Sequence, residues 1–254
     1  MDERDVIVSA FNCGGKMSCK KEAEKFAEPP LTLSVPGGSS SGFRTTASQY
    51  RAKNSVLKNF FAKHKVKPRR VCLISFSAGW AWTTEVLRAK LDVPRIDTII
   101  VMDGIHTSAL TGWYNYAELA AKGGKDAPKL WLAHTQIKPP FVSAKTTNTK
   151  IIDHARAVVP EGEDNLLAIP GEVWGVRLDE PIRVYSKIES PKYKTYPEDP
   201  LEAFEQIGNV ARFEYEGGRA QDHIYNAQYA QPRYWEWLRR IWKNKNAGVR
   251  WEQA

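Results

Sequence analysis

The sequence predicts an α/β protein, a three-layer sandwich in which helices cover both sides of a mostly parallel central sheet. Runs of strand length that are mostly apolar, rather than alternating, occur at 70–76, 96–102 and 129–133. Such runs are typical of strands buried on both faces. Stretches with helical spacing of apolar residues separate them. The length of 254 residues suits a single domain of this class over 1–254.

The other elements follow in chain order. Further strands are predicted at 6–8, 31–35, 182–188 and 210–215. Helices are predicted at 46–64, from the turn after 76 to about 90, at 148–158 and from the 217–223 loop to about 243. Two segments without an interpretable motif are assigned to a cap or insertion, 105–127 and 136–200.

The composition argues for a folded enzyme or binding protein and against a nucleic-acid-binding protein. Basic residues number 37 against 29 acidic ones, a net charge of +8, but they are scattered and no nucleic-acid motif accompanies them. Cys13 and Cys19 form one disulfide or none, and they lack the partners that zinc requires. We therefore expect no specific nucleic-acid binding and no metal.

Neither a membrane span nor a leader is predicted. No stretch approaches the length and apolarity of a transmembrane helix. The first residues lack the long apolar run of a secretory signal peptide, which predicts a cytoplasmic protein.

The most informative stretch is the passage from the 70–76 strand into the next helix. It reads Ser75-Phe76-Ser77-Ala78-Gly79, with a serine flanked two residues away by small side chains. A serine on such a sharp strand-to-helix turn holds its Oγ clear of the backbone, as a nucleophile requires. The alternative is that Ser77 only caps the helix that follows.

On these residues the chain resembles the α/β-hydrolase superfamily, most strongly over 31–135 and 208–243. Ser75 stands where the usual G-x-S-x-G motif has its first glycine. The resemblance implies an α/β-hydrolase fold and a Ser-His-Asp triad whose members occur in the chain order serine, acid, histidine. It implies no organic cofactor.

The resemblance assigns the base to His223, in the glycine-containing loop after the final strand. Asp103, which closes the 96–102 strand, is the candidate acid, because some superfamily members place it there. The alternatives are a surface or capping histidine and an aspartate that caps a turn with Gly104. Asp153 and Glu205 are outside candidates for the acid, as is Glu202.

Backbone N–H groups are expected to form the oxyanion hole. Ala78 follows the nucleophile directly, and Gly38 and Ser39 belong to the glycine loop after the 31–35 strand. The alternative is an ordinary flexible loop at 36–42. Four further side chains near strand ends or the turn are candidates to line the pocket: Trp80, His106, Trp113 and His134.

Together these residues predict a serine hydrolase that cleaves an ester, and less readily an amide or thioester, in a small-molecule or acyl-ester substrate. A non-catalytic protein that uses the same fold for binding or assembly is the alternative, since a fold alone does not determine function.

Overall fold

A computed structural model describes residues 3–11, 19–123, 126–139, 142–159, 172–173, 176–177, 201–218, 222–223, 234–245 and 247–252. The strands are β1 (Arg4–Phe11), β2 (Leu31–Ser34), β3 (Pro68–Phe76), β4 (Thr98–Met102), β5 (Lys129–Thr135), β6 (Glu172–Val173), β7 (Val176–Arg177), β8 (Leu201–Ile207) and β9 (Val210–Tyr215). The helices are α1 (Cys19–Ala23), α2 (Ser40–Tyr50), α3 (Leu57–Lys63), α4 (Trp80–Arg88), α5 (Thr111–Lys122), α6 (Ala144–Val158) and α7 (234–242).

Seven strands form one central sheet in the order β2-β1-β3-β4-β5-β9-β8. All neighbouring pairs are parallel except β8 and β9, which are antiparallel. The predicted class, α/β with a mostly parallel central sheet flanked by helices, is confirmed. β6 and β7 form a separate two-stranded pair.

The two faces of the sheet belong to two apolar cores. On β3, Val71 and Leu73 pack with helices α2 to α6, whereas Cys72 and Ile74 pack with α1 and α7 on the opposite face. Because successive strand residues point to opposite faces, a strand covered on both sides is expected to be apolar at most of its positions. This requirement explains the mostly apolar runs in the sequence.

One predicted helix is in fact two. The 46–64 stretch is divided between α2 and α3, because the carboxylate of Asp92 accepts hydrogen bonds from the N–H groups of Val56 and Leu57 at 2.6 and 3.1 Å. These bonds satisfy the free donors at the start of α3. The capping group lies 36 residues away from Val56, so no local pattern indicates it.

The segment 105–127, which was assigned to a cap or insertion, contributes α5 to a helical layer. Trp113, Tyr116 and Ala117 of α5 are fully buried in the core on that face. The second cap segment, 136–200, contributes α6 to the same layer, and most of its remaining residues lie outside the described ones. The strand predicted at 182–188 also lies outside them, as does Cys13. Cys19 and Cys72 are buried free thiols.

The C-terminal segment, residues 242–245 and 247–249, is bound to the edge of the sheet where the amino ends of the parallel strands lie, called here the amino edge. Arg70, fully buried, forms an ion pair with Asp5 at 2.6 Å and donates to three carbonyls of the segment. The carboxylate of Asp97 accepts from the indole of Trp242 and the N–H of Val249, both at 2.8 Å. Among the described helices, none has the length and apolarity to cross a membrane.

Candidate active site

The nucleophile candidate lies at the carboxyl edge of the sheet, where the strand order reverses. The chain runs from β1 outward to β2 and then returns to β3 on the other side of β1. Open α/β sheets bind their ligands at such switch points, outside the carboxyl ends of the strands. Ser77 is the first residue after β3, which places it there.

The turn at Ser77 has a strained backbone. Ser77 has φ +51°, a left-handed conformation that is uncommon for residues other than glycine. Gly79 is required for packing, because a Cβ there would lie 1.7 Å from the carbonyl oxygen of Ala10 on β1. Among the described side chains, none caps the turn Ser77–Gly79 or α4. The Ser77 hydroxyl is therefore not used as a helix cap.

The register of the sheet brings Asp103 beside Ser77. Phe76 on β3 pairs with Met102 on β4, so Ser77 and Asp103 are the next residues on adjacent parallel strands. Neighbouring strands lie about 4.8 Å apart. Asp103 also has a left-handed backbone, with φ +43°. Both residues turn out of their strands at the same edge of the sheet.

His223 reaches this edge from the loop after β9. Its Nδ1 donates to Asp103 Oδ2 at 2.9 Å, and its ring stacks against Phe76 with centroids 4.7 Å apart. The side chain of Asp103 is 3% exposed and that of His223 is 24% exposed. Gly217, with φ +114°, permits the loop to close on Asp222, because a Cβ there would lie 2.5 Å from Asp222 Cβ. The carboxylate thus fixes the orientation of an imidazole that remains accessible.

The buried carboxylate of Asp103 has a second partner that the sequence analysis missed. The hydroxyl of Thr135, at the end of β5, donates to Asp103 Oδ2 at 2.7 Å. Its backbone N–H lies 3.5 Å from Oδ1. Oδ2 therefore accepts hydrogen bonds from both His223 and Thr135.

The three residues of the predicted triad line one cavity of about 370 Å³. Its described lining residues are Ser40, Ser77, Ala78, Trp80, Asp103, His106, Ile137, Pro139 and His223. Ala78, Trp80, Ile137 and Pro139 give it a largely apolar wall, as ligand pockets usually have. Of the predicted pocket-lining residues, Trp80 and His106 are in this cavity.

His106 forms a hydrogen bond with the backbone of Val142. Its Nδ1 lies 3.0 Å from the carbonyl oxygen of Val142, so Nδ1 carries the proton of this bond. Burial lowers the pKa of His106, which favours the neutral imidazole at pH 7.

Two residues predicted to line the pocket do not. Trp113 is fully buried, and its indole N–H donates to Thr84 Oγ1 at 3.0 Å within the helical layer. His134 is also fully buried, with Nδ1 3.1 Å from the Asn148 amide and Nε2 3.7 Å from a carboxylate oxygen of Glu214. Burial lowers the pKa of His134 as well. The position of His134 at a strand end and the position of Trp113 after Asp103 therefore did not make either residue part of the cavity.

The residues predicted to form the oxyanion hole do not all line the cavity. Ala78 lines the cavity, whereas Gly38 and Ser39 are not among its lining residues. The Ser39 hydroxyl instead accepts from the N–H of Gly42 at 3.1 Å and caps α2. Ser40, the first residue of α2, is among the lining residues of the cavity. β2 itself is an edge strand, separated from β3 by β1.

In the described ranges, no three His, Cys, Asp or Glu side chains come together as a metal site would require. No protein-family model, curated protein or solved structure matches this chain. The function is therefore inferred from the chemistry of the site alone.

Proposed function

We propose that this protein is a serine hydrolase of the α/β-hydrolase fold that cleaves esters through Ser77, His223 and Asp103. The observation that carries the proposal is the single cavity lined by all three residues, with His223 Nδ1 hydrogen-bonded to Asp103 at 2.9 Å. A serine, an imidazole and a buried carboxylate in one cavity are the parts that nucleophilic acyl transfer requires.

In the proposed reaction, Ser77 Oγ attacks the carbonyl carbon of the ester while His223 accepts the hydroxyl proton. The Asp103 carboxylate keeps the imidazole in the tautomer with Nδ1 protonated and stabilises the imidazolium that forms. Collapse of the tetrahedral intermediate breaks the bond to the alkoxy group, which leaves as an alcohol with the proton from His223. Water then hydrolyses the acyl-enzyme with His223 again acting as base.

The negative oxygen of the intermediate needs fixed donors. The N–H of Ala78 follows the nucleophile directly at the start of the turn into α4, and Ala78 lines the cavity. An N–H at this position is typical of the oxyanion hole that accompanies a nucleophile elbow. Loss of one such donor costs about 3 kcal/mol of transition-state stabilisation.

The backbone of the turn favours catalysis over passive binding. A non-glycine residue at φ +51° is strained, and such strain persists where the surrounding structure enforces it, often at active sites. The apolar wall of Trp80, Ile137 and Pro139 favours a small substrate with an apolar group beside the scissile bond. Amides and thioesters could be cleaved by the same three residues, but esters are the substrates that we propose first.

Labelling with a fluorophosphonate probe tests the proposal, because such probes phosphonylate activated serines. We expect covalent modification of the wild type on the peptide that contains Ser77, and none in Ser77→Ala. Ser40→Ala is the matched control, since Ser40 lies in the same cavity and should not be needed for labelling. A folded wild type that stays unlabelled contradicts the proposal and favours the non-catalytic binding protein.

A further inference from the structure

We infer that Thr135 is a positioning residue that holds the Asp103 carboxylate in its working orientation. The inference rests on the proposed function. Thr135 is not among the residues that line the cavity, so it is placed to act on the reaction through Asp103 rather than through the substrate. The hydroxyl of Thr135 and the imidazole of His223 both donate to the same oxygen, Oδ2, at 2.7 and 2.9 Å.

Burial makes this second hydrogen bond important. Thr135 is 1% exposed and Asp103 is 2% exposed, so water cannot replace a lost donor without rearrangement. A buried carboxylate with too few hydrogen bonds is costly, and it moves or recruits other partners. Two short bonds to Oδ2 and the longer contact from the Thr135 N–H to Oδ1 leave the carboxylate little freedom to rotate.

The backbone of Asp103 also helps to fix the position of its carboxylate. Asp103 N donates to the carbonyl oxygen of Ala133 at 2.8 Å, which continues the β4–β5 pairing to the turn. The left-handed backbone of Asp103 then takes the chain out of the strand. Thr135 meets the carboxylate from β5, and His223 meets it from the loop after β9, so the acid is held between two elements.

The chain offers a matched control at the other edge of the sheet. Thr98 Oγ1 donates to Asp97 Oδ2 at 2.8 Å, and both residues are buried. Thr98→Val therefore removes an equivalent threonine–aspartate bond on the neighbouring strand β4, far from Ser77 along the strand direction. Thr135→Val and Thr98→Val should both lower the thermal midpoint of unfolding.

Only Thr135→Val should slow the chemistry. We expect the second-order rate constant for fluorophosphonate labelling to fall about 10- to 100-fold, the range that corresponds to loss of one hydrogen bond to a charged group. With a p-nitrophenyl ester, kcat should fall while KM stays nearly constant. Thr135→Ser, which keeps the hydroxyl, should restore the rate to within about threefold, since it retains the same charge-assisted bond. The NMR resonance of the His223 Nδ1 proton should move in Thr135→Val and not in Thr98→Val.

The possible failures are distinguishable. A labelled wild type with Thr135→Val as fast as Thr98→Val overturns the positioning role and leaves the proposed function standing. The same conclusion follows if Thr135→Ser is as slow as Thr135→Val. An unlabelled wild type overturns the proposed function and this inference with it. Should Thr135→Val not fold, Thr135→Cys serves, because it keeps a similar size but only a weak S–H donor.

Discussion

Replacing Asp103 by asparagine tests whether the buried carboxylate acts in catalysis. The substitution keeps the shape of the side chain and removes its charge. In the wild type, Oδ2 accepts from His223 and from Thr135. An asparagine NH2 group is a donor only, so at the Oδ2 position it would face two donors. With the amide reversed, its carbonyl oxygen accepts both bonds, but the imidazolium has lost its counter-charge.

The expected magnitude is large. Removing the carboxylate of a Ser-His-Asp triad lowers kcat about 10⁴-fold, because the imidazole adopts the wrong tautomer and its positive charge is no longer stabilised. At 1.36 kcal/mol for each factor of ten, this is about 5 kcal/mol of transition-state stabilisation. The side chain of Asp103 is 3% exposed, so little of this interaction is weakened by solvent.

The assay compares rates of fluorophosphonate labelling and of p-nitrophenyl ester hydrolysis in the wild type and Asp103→Asn. Asp97→Asn is the matched control, because Asp97 is 1% exposed, precedes the same strand and accepts hydrogen bonds at the opposite edge of the sheet. We expect Asp97→Asn to lose stability but keep its rate. An Asp103→Asn protein that is folded and retains its rate within about tenfold would refute the assignment of the acid, since a triad carboxylate is worth far more.

Three further predictions concern the elbow and the amino edge of the sheet. Ser75→Ala should raise the free energy of unfolding by about 1 kcal/mol in urea titrations, because the Ser75 hydroxyl is fully buried without a described hydrogen-bond partner. A loss of stability would contradict this and indicate that the hydroxyl has a hydrogen-bond partner. Gly79→Ala should destabilise the protein by about 3 kcal/mol or more and slow labelling, since the new Cβ would overlap the carbonyl of Ala10; an unchanged melting midpoint would count against the packing of the elbow. Burial alone would raise the pKa of Asp5, but hydrogen bonds from two arginines outweigh it and hold that pKa below its usual range. The contribution of Asp5 to the free energy of unfolding is present above its unfolded-state pKa of about 3.9 and is lost as the pH falls through its lower folded-state pKa. The difference in unfolding free energy between wild type and Asp5→Asn, about 3 kcal/mol at pH 7, should therefore shrink in acid, and a constant difference from pH 7 to pH 2 would contradict this account.

The strands of the sheet interior were predictable because burial on both faces leaves a strong signal. β9 was predicted with its observed bounds, and the runs of β3, β4 and β5 were located within a few residues. β8 was missed because it is an edge strand, paired on one side only. Its sequence from Leu201 to Ile207 mixes glutamates and a glutamine with apolar residues, so it resembles a charged loop.

The site was predictable where topology fixes position. Strand ends of a parallel sheet meet at one edge, so Ser77 and Asp103, which each follow a strand, were expected at the same edge of the sheet. The direction of a side chain could not be predicted, because successive strand residues point to opposite faces. His134 therefore enters the buried interior beside Asn148, while its neighbour Thr135 contacts Asp103.

The oxyanion loop shows a second limit of local patterns. Ser39 was predicted to contribute a backbone N–H to the oxyanion hole, but it is not among the described residues that line the cavity, and its hydroxyl caps α2. Capping serines and glycine-rich oxyanion loops share the same residues, so composition does not separate them. Ser40 lines the cavity as the first residue of α2, directly after the capping serine.

A crystal structure of the protein after reaction with a small fluorophosphonate tests the central claim most directly. We expect continuous density from Ser77 Oγ to phosphorus, with a phosphoryl oxygen about 3 Å from the N–H of Ala78 and the His223 imidazole beside the bonded oxygen. A folded protein with phosphorus on another residue, or with Ser77 unmodified after prolonged exposure, would contradict the assignment of Ser77 as the nucleophile.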